Sequence, residues 1–310
     1  MLTFFFSILV PEPAALFGRK KRGNRHQHIR SAGQQTIQRH MNKTAILASD
    51  MDGTVIPLES GEEREAEISE FNRLVLANRH VALAYVTGRH LELGLQGVAE
   101  HRLPVPDIFV CDVGTTIYFR SRDRWEVDQQ YRSRLKDAWQ DHTGTDIAAM
   151  LQGVPDLEEQ EDERQKEFKQ SYYVPRFIGA DEIVAQIHAR LGDEGVRANV
   201  IYSVDTLRNL GLVDVLPDIA AKDYALRYLW QRLELEFDRV VYAGDSGNDL
   251  LAFVSGFNAI IVANTSETVK EEVRRQAKEK KIAQRTYFAG SKYVRGVIEG
   301  CFHYQLFSNP

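Results

Sequence analysis

Five short runs in this chain are apolar almost from end to end: "TAILAS", "HVALAYVTG", "PDIFVCDVG", "DRVVYAGDS" and "NAIIVAN". A strand with one wet face alternates apolar and polar residues. Strands without that alternation are buried on both faces, which calls for a parallel sheet covered by helices. Helical periodicity fills the intervals. "EREAEISEFNRLVLANR" sets Ile68, Phe71, Leu74 and Val75 on one stripe, and "GNDLLAFVSG" separates the last two runs. "TTIYF" follows the third run as its hairpin partner. The expected fold class is therefore α/β, with a Rossmann-like parallel-sheet core.

The stretch between the third and fourth runs has another texture. It opens on polar helical sequence, passes through the charged "PDLEEQEDERQKEF", and continues as "KQSYYVPRF", a helical "ADEIVAQIHARLG", "VRANVIYSV" and "LGLVDVLP". That order resembles a helix followed by strand, helix, strand and strand. Loops rarely exceed about 15 residues without structure of their own, so the roughly 130 residues between Arg89 and Lys222 must hold an inserted α+β domain. The expected division is core at 43–119 and 206–310, with an inserted α+β cap at 120–205. The tail "AGSKYVRGVIEGCFHYQLF" is expected to be helical and to pack back on the core.

Residues 1–42 stand apart. "MLTFFFSILV" is shorter than the ~20 apolar residues of a membrane span, and the basic "GRKKRGNRHQHIR" follows it instead of preceding it as in a signal peptide. The segment is expected to be a disordered extension, or a stretch upstream of a start at Met41, with a membrane-surface anchor as the alternative. Cys111 and Cys301 are the only cysteines, far apart and in no metal-ligand spacing, which suits a reducing cytoplasm and no disulfide framework. The formal net charge of −5 argues against nucleic acid as the main partner, and no membrane span is expected.

The runs end in chemistry. In an open parallel sheet the ligand crevice lies outside the carboxyl ends of the strands. There stand Asp50-Met51-Asp52-Gly53-Thr54, then Thr87-Gly88-Arg89, and later Gly244-Asp245-Ser246-Gly247-Asn248-Asp249, with Lys222 opening a helix in between. Each alone also reads as a polar turn, a helix cap or a surface lysine. Together, in order and at strand ends, they ask for a common explanation. A carboxylate can attack phosphorus and form an acyl phosphate that water hydrolyses. Carboxylate and phosphate repel unless a cation lies between them, and Mg²⁺ on Asp50 and Asp245 does that. Lys222 adds a point charge on the transferring group. Thr87 offers a hydroxyl, and Gly88 lets backbone approach phosphate oxygens closely. Asp52 is left to trade a proton, first with the leaving alcohol and then with water.

These four segments resemble the four motifs of the haloacid dehalogenase superfamily, in order and with a cap between the second and third, over about residues 44–270. The resemblance implies Asp50 as nucleophile and Asp52 as acid/base with its carbonyl on the metal. It also implies Asp245 and Asp249 at the metal, with Asn248 and Asp249 holding Lys222 and metal-bound water. One departure stands out: the family usually has glycine after the lysine, whereas Asp223 is here.

Within the cap, "EFKQSYYV" resembles a segment of the sucrose-phosphate phosphatases, and so do "VCDVGTTIYF" and "LGLVDVLP". By position the resemblance makes Lys169, Ser171 and Tyr172 sugar contacts and sets Gly114, Thr115 and Asp214 near the cleft, with Arg89 also facing substrate. Hydroxyl, amine and carboxylate partners with aromatic faces suit a carbohydrate. The expected activity is Mg²⁺-dependent hydrolysis of a small-molecule sugar phosphate, sucrose 6-phosphate first. Mannosylfructose phosphate and glucosylglycerol phosphate are rival substrates. A sugar phosphomutase and a non-catalytic sugar-phosphate sensor are rival functions.

Overall fold

The computed structural model describes residues 43–57, 62–122, 124–205 and 208–308. The expectations for residues 1–42 lie outside the described residues.

Every apolar run forms a strand. β1 (Ala45–Ser49), α1 (Glu62–Ala77), β2 (Val81–Val86), α2 (Leu91–Glu100) and β3 (Ile108–Cys111) follow in order. β4 (Thr116–Ser121) and β5 (Arg124–Val127) then turn back as antiparallel partners. The chain leaves the sheet through α3 (Gln129–Ala138), α4 (Gly144–Leu151), β6 (Glu158–Glu159), β7 (Gln170–Pro175), α5 (Ala180–Asp193), β8 (Ala198–Asp205) and β9 (Leu210–Pro217). It returns through α6 (Lys222–Arg232), β10 (Val240–Gly244), α7 (Leu250–Phe253), β11 (Asn258–Ile261), α8 (Glu267–Glu279), β12 (Thr286–Phe288) and α9 (Tyr293–His303).

The larger sheet has the order β12-β11-β10-β1-β2-β3-β4-β5, parallel from β12 to β3. Residues of β1 alternate between two apolar layers: Ile46 and Ala48 join one cluster, Ala45 and Leu47 the other. Both faces are thus dry, which is why the strand sequence shows no polar alternation. β1 lies between β2 and β10, so the chain departs to one side of it and comes back on the other. Ligand crevices form at the carboxyl ends of such a switch point. Ala48 pairs with Ala84 and Tyr242, so the residues just past β1, β2 and β10 emerge side by side.

The inserted cap is a four-stranded antiparallel sheet, β6-β7-β9-β8, backed by α4 and α5. Ile183, Ile187 and Leu191, one helical turn apart along α5, are fully buried. Burying such a side chain contributes roughly 1.5–3 kcal/mol.

Two strands fall on the other side of the boundaries expected at 120 and 206. β5 is the edge of the large sheet, because "RWEV" continues the hairpin that "TTIYF" starts. β9 lies inside the cap sheet, and its burial alternates from Leu210 to Val215, the mark of an antiparallel strand with one covered face. The tail forms α9, whose Val294, Val297, Ile298 and Cys301 are buried against the core, as expected.

Candidate active site

Asp50 is the first residue past β1. Its N–H donates to the Ala243 carbonyl at 2.9 Å, which ties the end of β1 to the end of β10. Its Oδ1 accepts from the Met51 N–H at 2.8 Å, and its Oδ2 lies 3.0 Å from Lys222 Nζ. Burial raises the Asp50 pKa to about 7. Lys222 pulls against that rise, while Asp249 and Asp245 add to it.

Lys222 opens α6 and is itself buried, with Nζ 2.7 Å from Asp249 Oδ1. Burial alone would lower its pKa, but the two carboxylates beside it raise it, so the lysine is held as a cation. Asp249 is completely buried and saturated. Its Oδ1 also accepts from the Tyr242 hydroxyl, and its Oδ2 accepts from the Asp245 N–H, the Ser246 N–H and Ser246 Oγ. Burial would raise its pKa, yet Lys222 and these donors together lower it.

Among the described residues Asp245 takes one side-chain donor, Thr54 Oγ1 at 2.8 Å, and burial with nearby Asp249 raises its pKa to about 6. Gly53 leaves room for it: with φ at +78°, a Cβ there would sit 2.3 Å from Asp245 Oδ2. Asn264 fixes the same turn, donating to the Gly53 carbonyl at 2.8 Å and accepting from the Tyr293 N–H at 3.0 Å.

The donor set fits Mg²⁺. Carboxylate oxygens of Asp50, Asp245 and Asp249 lie within 4.8 Å of one another, and the first two are ionised at a penalty that a cation removes. Because Asp249 is already saturated, Asp50 and Asp245 are the carboxylates with capacity for a metal. Among the described residues nothing donates to the Asp52 carbonyl.

The Asp52 side chain is held by Arg89. Arg89 Nε donates to its Oδ2 at 2.8 Å and Arg89 Nη2 to its Oδ1 at 2.6 Å. Arg89, read as a substrate contact, is thus paired with the carboxylate read as acid/base. Thr87 is buried just past β2 and its Oγ1 accepts from the Arg89 N–H at 3.2 Å. Gly88 follows it in the same turn and is exposed. Asn248 is exposed, and among the described residues its side chain does not reach Lys222. Asp223, the unusual neighbour of Lys222, has its pKa raised by burial, against the pull of Arg227.

The cap supplies a second group. Ser171 Oγ donates to Asp214 Oδ1 at 2.5 Å, and Lys169 Nζ is 3.9 Å from the same oxygen. β7 pairs Ser171 with Asp214 on β9, and Lys169, two residues back, shares that face. Tyr172 does not. One residue along the strand, it turns to the opposite face and is buried in the cap's apolar layer, where its hydroxyl has no partner among the described residues. Thr115 is buried, with Oγ1 donating to the Asp112 carbonyl at 3.0 Å. Gly114, at φ +95°, abuts the Ala221 carbonyl, where a Cβ would come within 2.9 Å.

Residues 43–305 match the sucrose-6F-phosphate phosphohydrolase family. The chain belongs to that family. It is accordingly a phosphatase of the class acting on sugar phosphates. A putative HAD-like hydrolase of Nitrosococcus oceani is 35% identical over 85% of this chain and 72% of its own length. The mannosylfructose-phosphate phosphatase of Agrobacterium fabrum is 27% identical, over 87% of this chain and 100% of its own. The plant sucrose-phosphatases it matches are longer, and the chain spans about 60% of the first of these. Among solved structures, the sucrose-phosphatase of Synechocystis sp. PCC6803, in complex with sucrose and phosphate, has a TM-score of 0.68 at 25% identity. That match covers 86% of this chain and all of the other.

Sequence reasoning passed over Tyr242, Thr54 and Asn264, which hold Asp249, Asp245 and the Gly53 turn respectively. Thr54 stood inside the quoted first segment, and Asn264 ends the last apolar run, so position alone could have pointed to both.

Proposed function

We propose that this phosphatase is Mg²⁺-dependent and hydrolyses a phosphorylated disaccharide or related glycoside through an aspartyl phosphate on Asp50. Sucrose 6-phosphate is the leading substrate. The observation that carries the reading is the buried Asp50 carboxylate, 3.0 Å from a buried lysine and facing Asp245 across the ends of two adjacent strands.

Asp50 attacks phosphorus while Asp52 protonates the departing sugar oxygen. Water then attacks the aspartyl phosphate, and Asp52 takes its proton. Lys222, the Thr87 hydroxyl and the Gly88 N–H meet the charge on the phosphoryl oxygens. A Mg²⁺ held by Asp50, Asp245 and the Asp52 carbonyl would neutralise the repulsion between carboxylate and phosphate. Asp249 positions Lys222. Lys169, Ser171 and Asp214 reach the sugar from the cap.

Cys111 and Cys301 are free and buried, which suits a reducing setting. No described helix is long and apolar enough to cross a membrane. The test is a panel of sucrose 6-phosphate, mannosylfructose phosphate and glucosylglycerol phosphate, compared by kcat/KM with and without Mg²⁺. Free phosphate from one of them, abolished by Asp50→Asn, is expected. An isomerised sugar phosphate in place of free phosphate would make the protein a mutase.

A further inference from the structure

The loop between β3 and β4 carries a carboxylate that the chemistry above leaves unused. Asp112 is 4% exposed. It begins three successive residues with positive φ: Asp112 at 52°, Val113 at 62° and Gly114 at 95°. Left-handed backbone costs an ordinary residue about 1–2 kcal/mol, and it persists only where its surroundings hold it.

Here the holding contacts come from the reaction centre. The Asp112 N–H donates to the Arg89 carbonyl at 3.0 Å, and the Val113 N–H to the Thr87 carbonyl at 3.2 Å. Tyr131 Oη donates to the Gly114 carbonyl at 2.6 Å, and Gly114 itself is pressed against Ala221, next to Lys222. The loop is stapled to the phosphate-binding turn on one side and to the start of the lysine helix on the other.

Asp112 and Thr115 line a cavity of about 330 Å³, within the range of small-molecule sites. Its other walls include Tyr118 of β4, Gln129 at the start of α3, and Lys166 and Phe168 of the cap. Hydroxyl, amide, carboxylate and ammonium groups beside aromatic rings suit a polyhydroxylated ligand better than an apolar one. Asp50, Lys222 and Asp245 do not line it, nor do Lys169, Ser171 and Asp214 of the cap, so it lies outside the reaction centre and is tied to it through the Asp112 N–H on the Arg89 carbonyl.

Among the described residues no hydrogen-bond donor reaches the Asp112 carboxylate. Burial raises its pKa, and the charges of Lys169, then Lys166 and His90, pull it back, with Asp214 opposing them. Asp112 borders the cavity, so a hydroxyl of a ligand there can supply the missing donor.

We propose that Asp112 is a specificity-determining residue that accepts hydroxyl hydrogens of the sugar from the core side, while Lys169, Ser171 and Asp214 act from the cap. The inference rests on the sugar-phosphatase reading above. Its consequence is that sugar recognition is set in fixed register with the Thr87–Arg89 turn, not left to the cap alone.

The experiment compares Asp112→Asn with wild type on two substrates. One is the best of sucrose 6-phosphate, mannosylfructose phosphate and glucosylglycerol phosphate; the other is p-nitrophenyl phosphate, which offers no hydroxyl. Asparagine keeps the size of the side chain and tolerates left-handed backbone. The ratio of kcat/KM for the sugar phosphate to that for p-nitrophenyl phosphate should fall about tenfold to a hundredfold, the worth of one hydrogen bond to a charged group. If Asp112→Asn does not fold, Asp112→Gly, equally at ease at positive φ, carries the same comparison. A ratio unchanged within about threefold overturns the inference and leaves the phosphatase reading standing. Equal losses on both substrates also overturn it, because the residue would then only hold the loop. A wild-type protein releasing phosphate from neither substrate overturns the phosphatase reading, and the inference with it.

Discussion

Arg89 grips Asp52 with two prongs, Nε to Oδ2 at 2.8 Å and Nη2 to Oδ1 at 2.6 Å. A fork of this geometry fixes the plane of a carboxylate as well as its place, which a lysine cannot do. Arg89 is in turn anchored, its Nη1 donating to the Leu93 carbonyl at 3.1 Å. The arginine of the second segment therefore aims the carboxylate that we propose as the acid/base.

Arg89→Lys should consequently slow the step in which the leaving alcohol is protonated. On a sugar phosphate, kcat should drop about tenfold or more, a part of the 10²–10⁴ that general acid catalysis contributes. On 2,4-dinitrophenyl phosphate, whose leaving group needs no proton, the rate should change little. Equal losses on both substrates would mean that Arg89 serves binding or folding instead.

Metal binding should depend on pH with a definite sign. Asp50 and Asp245 are raised to about 7 and about 6 from 3.8, so their contribution to stability is present while they are protonated and is lost as pH rises through those values. Mg²⁺ needs the ionised forms and offsets that loss. The rise in Tm caused by Mg²⁺ should thus be small at pH 5.5 and reach several degrees at pH 7.5, given about 2.7 kcal/mol at a hundredfold excess over Kd. Asp245→Asn should abolish it at both values. Differential scanning fluorimetry with and without Mg²⁺ measures this directly, since other acid effects cancel in the difference.

Asp128 ties the entrance of the cap to the core. Its carboxylate caps α3 through the Gln130 and Tyr131 N–H groups and accepts from the Tyr228 hydroxyl of α6 at 2.7 Å and from Arg232 Nε at 3.4 Å. Asp128→Ala leaves a helix end and a buried hydroxyl unpaired. A loss of about 2–4 kcal/mol in urea unfolding is expected, with Asp128→Asn milder.

Gly53→Ala should damage both folding and chemistry. The residue sits at φ +78°, and the added methyl would meet Asp245 at 2.3 Å. Stability should fall by about 1–2 kcal/mol, and apparent Mg²⁺ affinity should fall with it. An alanine variant with unchanged Mg²⁺ dependence would contradict the placement of Asp245 at the metal.

Much of this arrangement is legible in the sequence because parallel strands must be dry on both faces. The unbroken apolar runs therefore located β1, β2, β3, β10 and β11, and the chemistry at their ends followed. Tyr172 shows where the reading stopped: strand alternation sets it on the face opposite Lys169 and Ser171, a rule that resemblance by position ignores. The boundary expected at 206 cuts β9 from the cap although "LGLVDVLP" reads as the last strand of the inserted unit, and its alternation is that of an antiparallel strand. The Arg89–Asp52 fork joins residues 37 apart, and the backbone conformation of Asp112 depends on contacts from the Thr87–Arg89 turn; neither leaves a local signature.

The central claim is that Asp50 carries the phosphoryl group during turnover. Acid quenching in mid-turnover, tryptic digestion and mass spectrometry test it on the peptide spanning residues 44–64. The account predicts that this peptide gains the mass of one phosphoryl group, located on Asp50, and that Asp50→Asn shows neither the label nor phosphate release. A label on any other residue, or comparable phosphate release by Asp50→Asn, would contradict it.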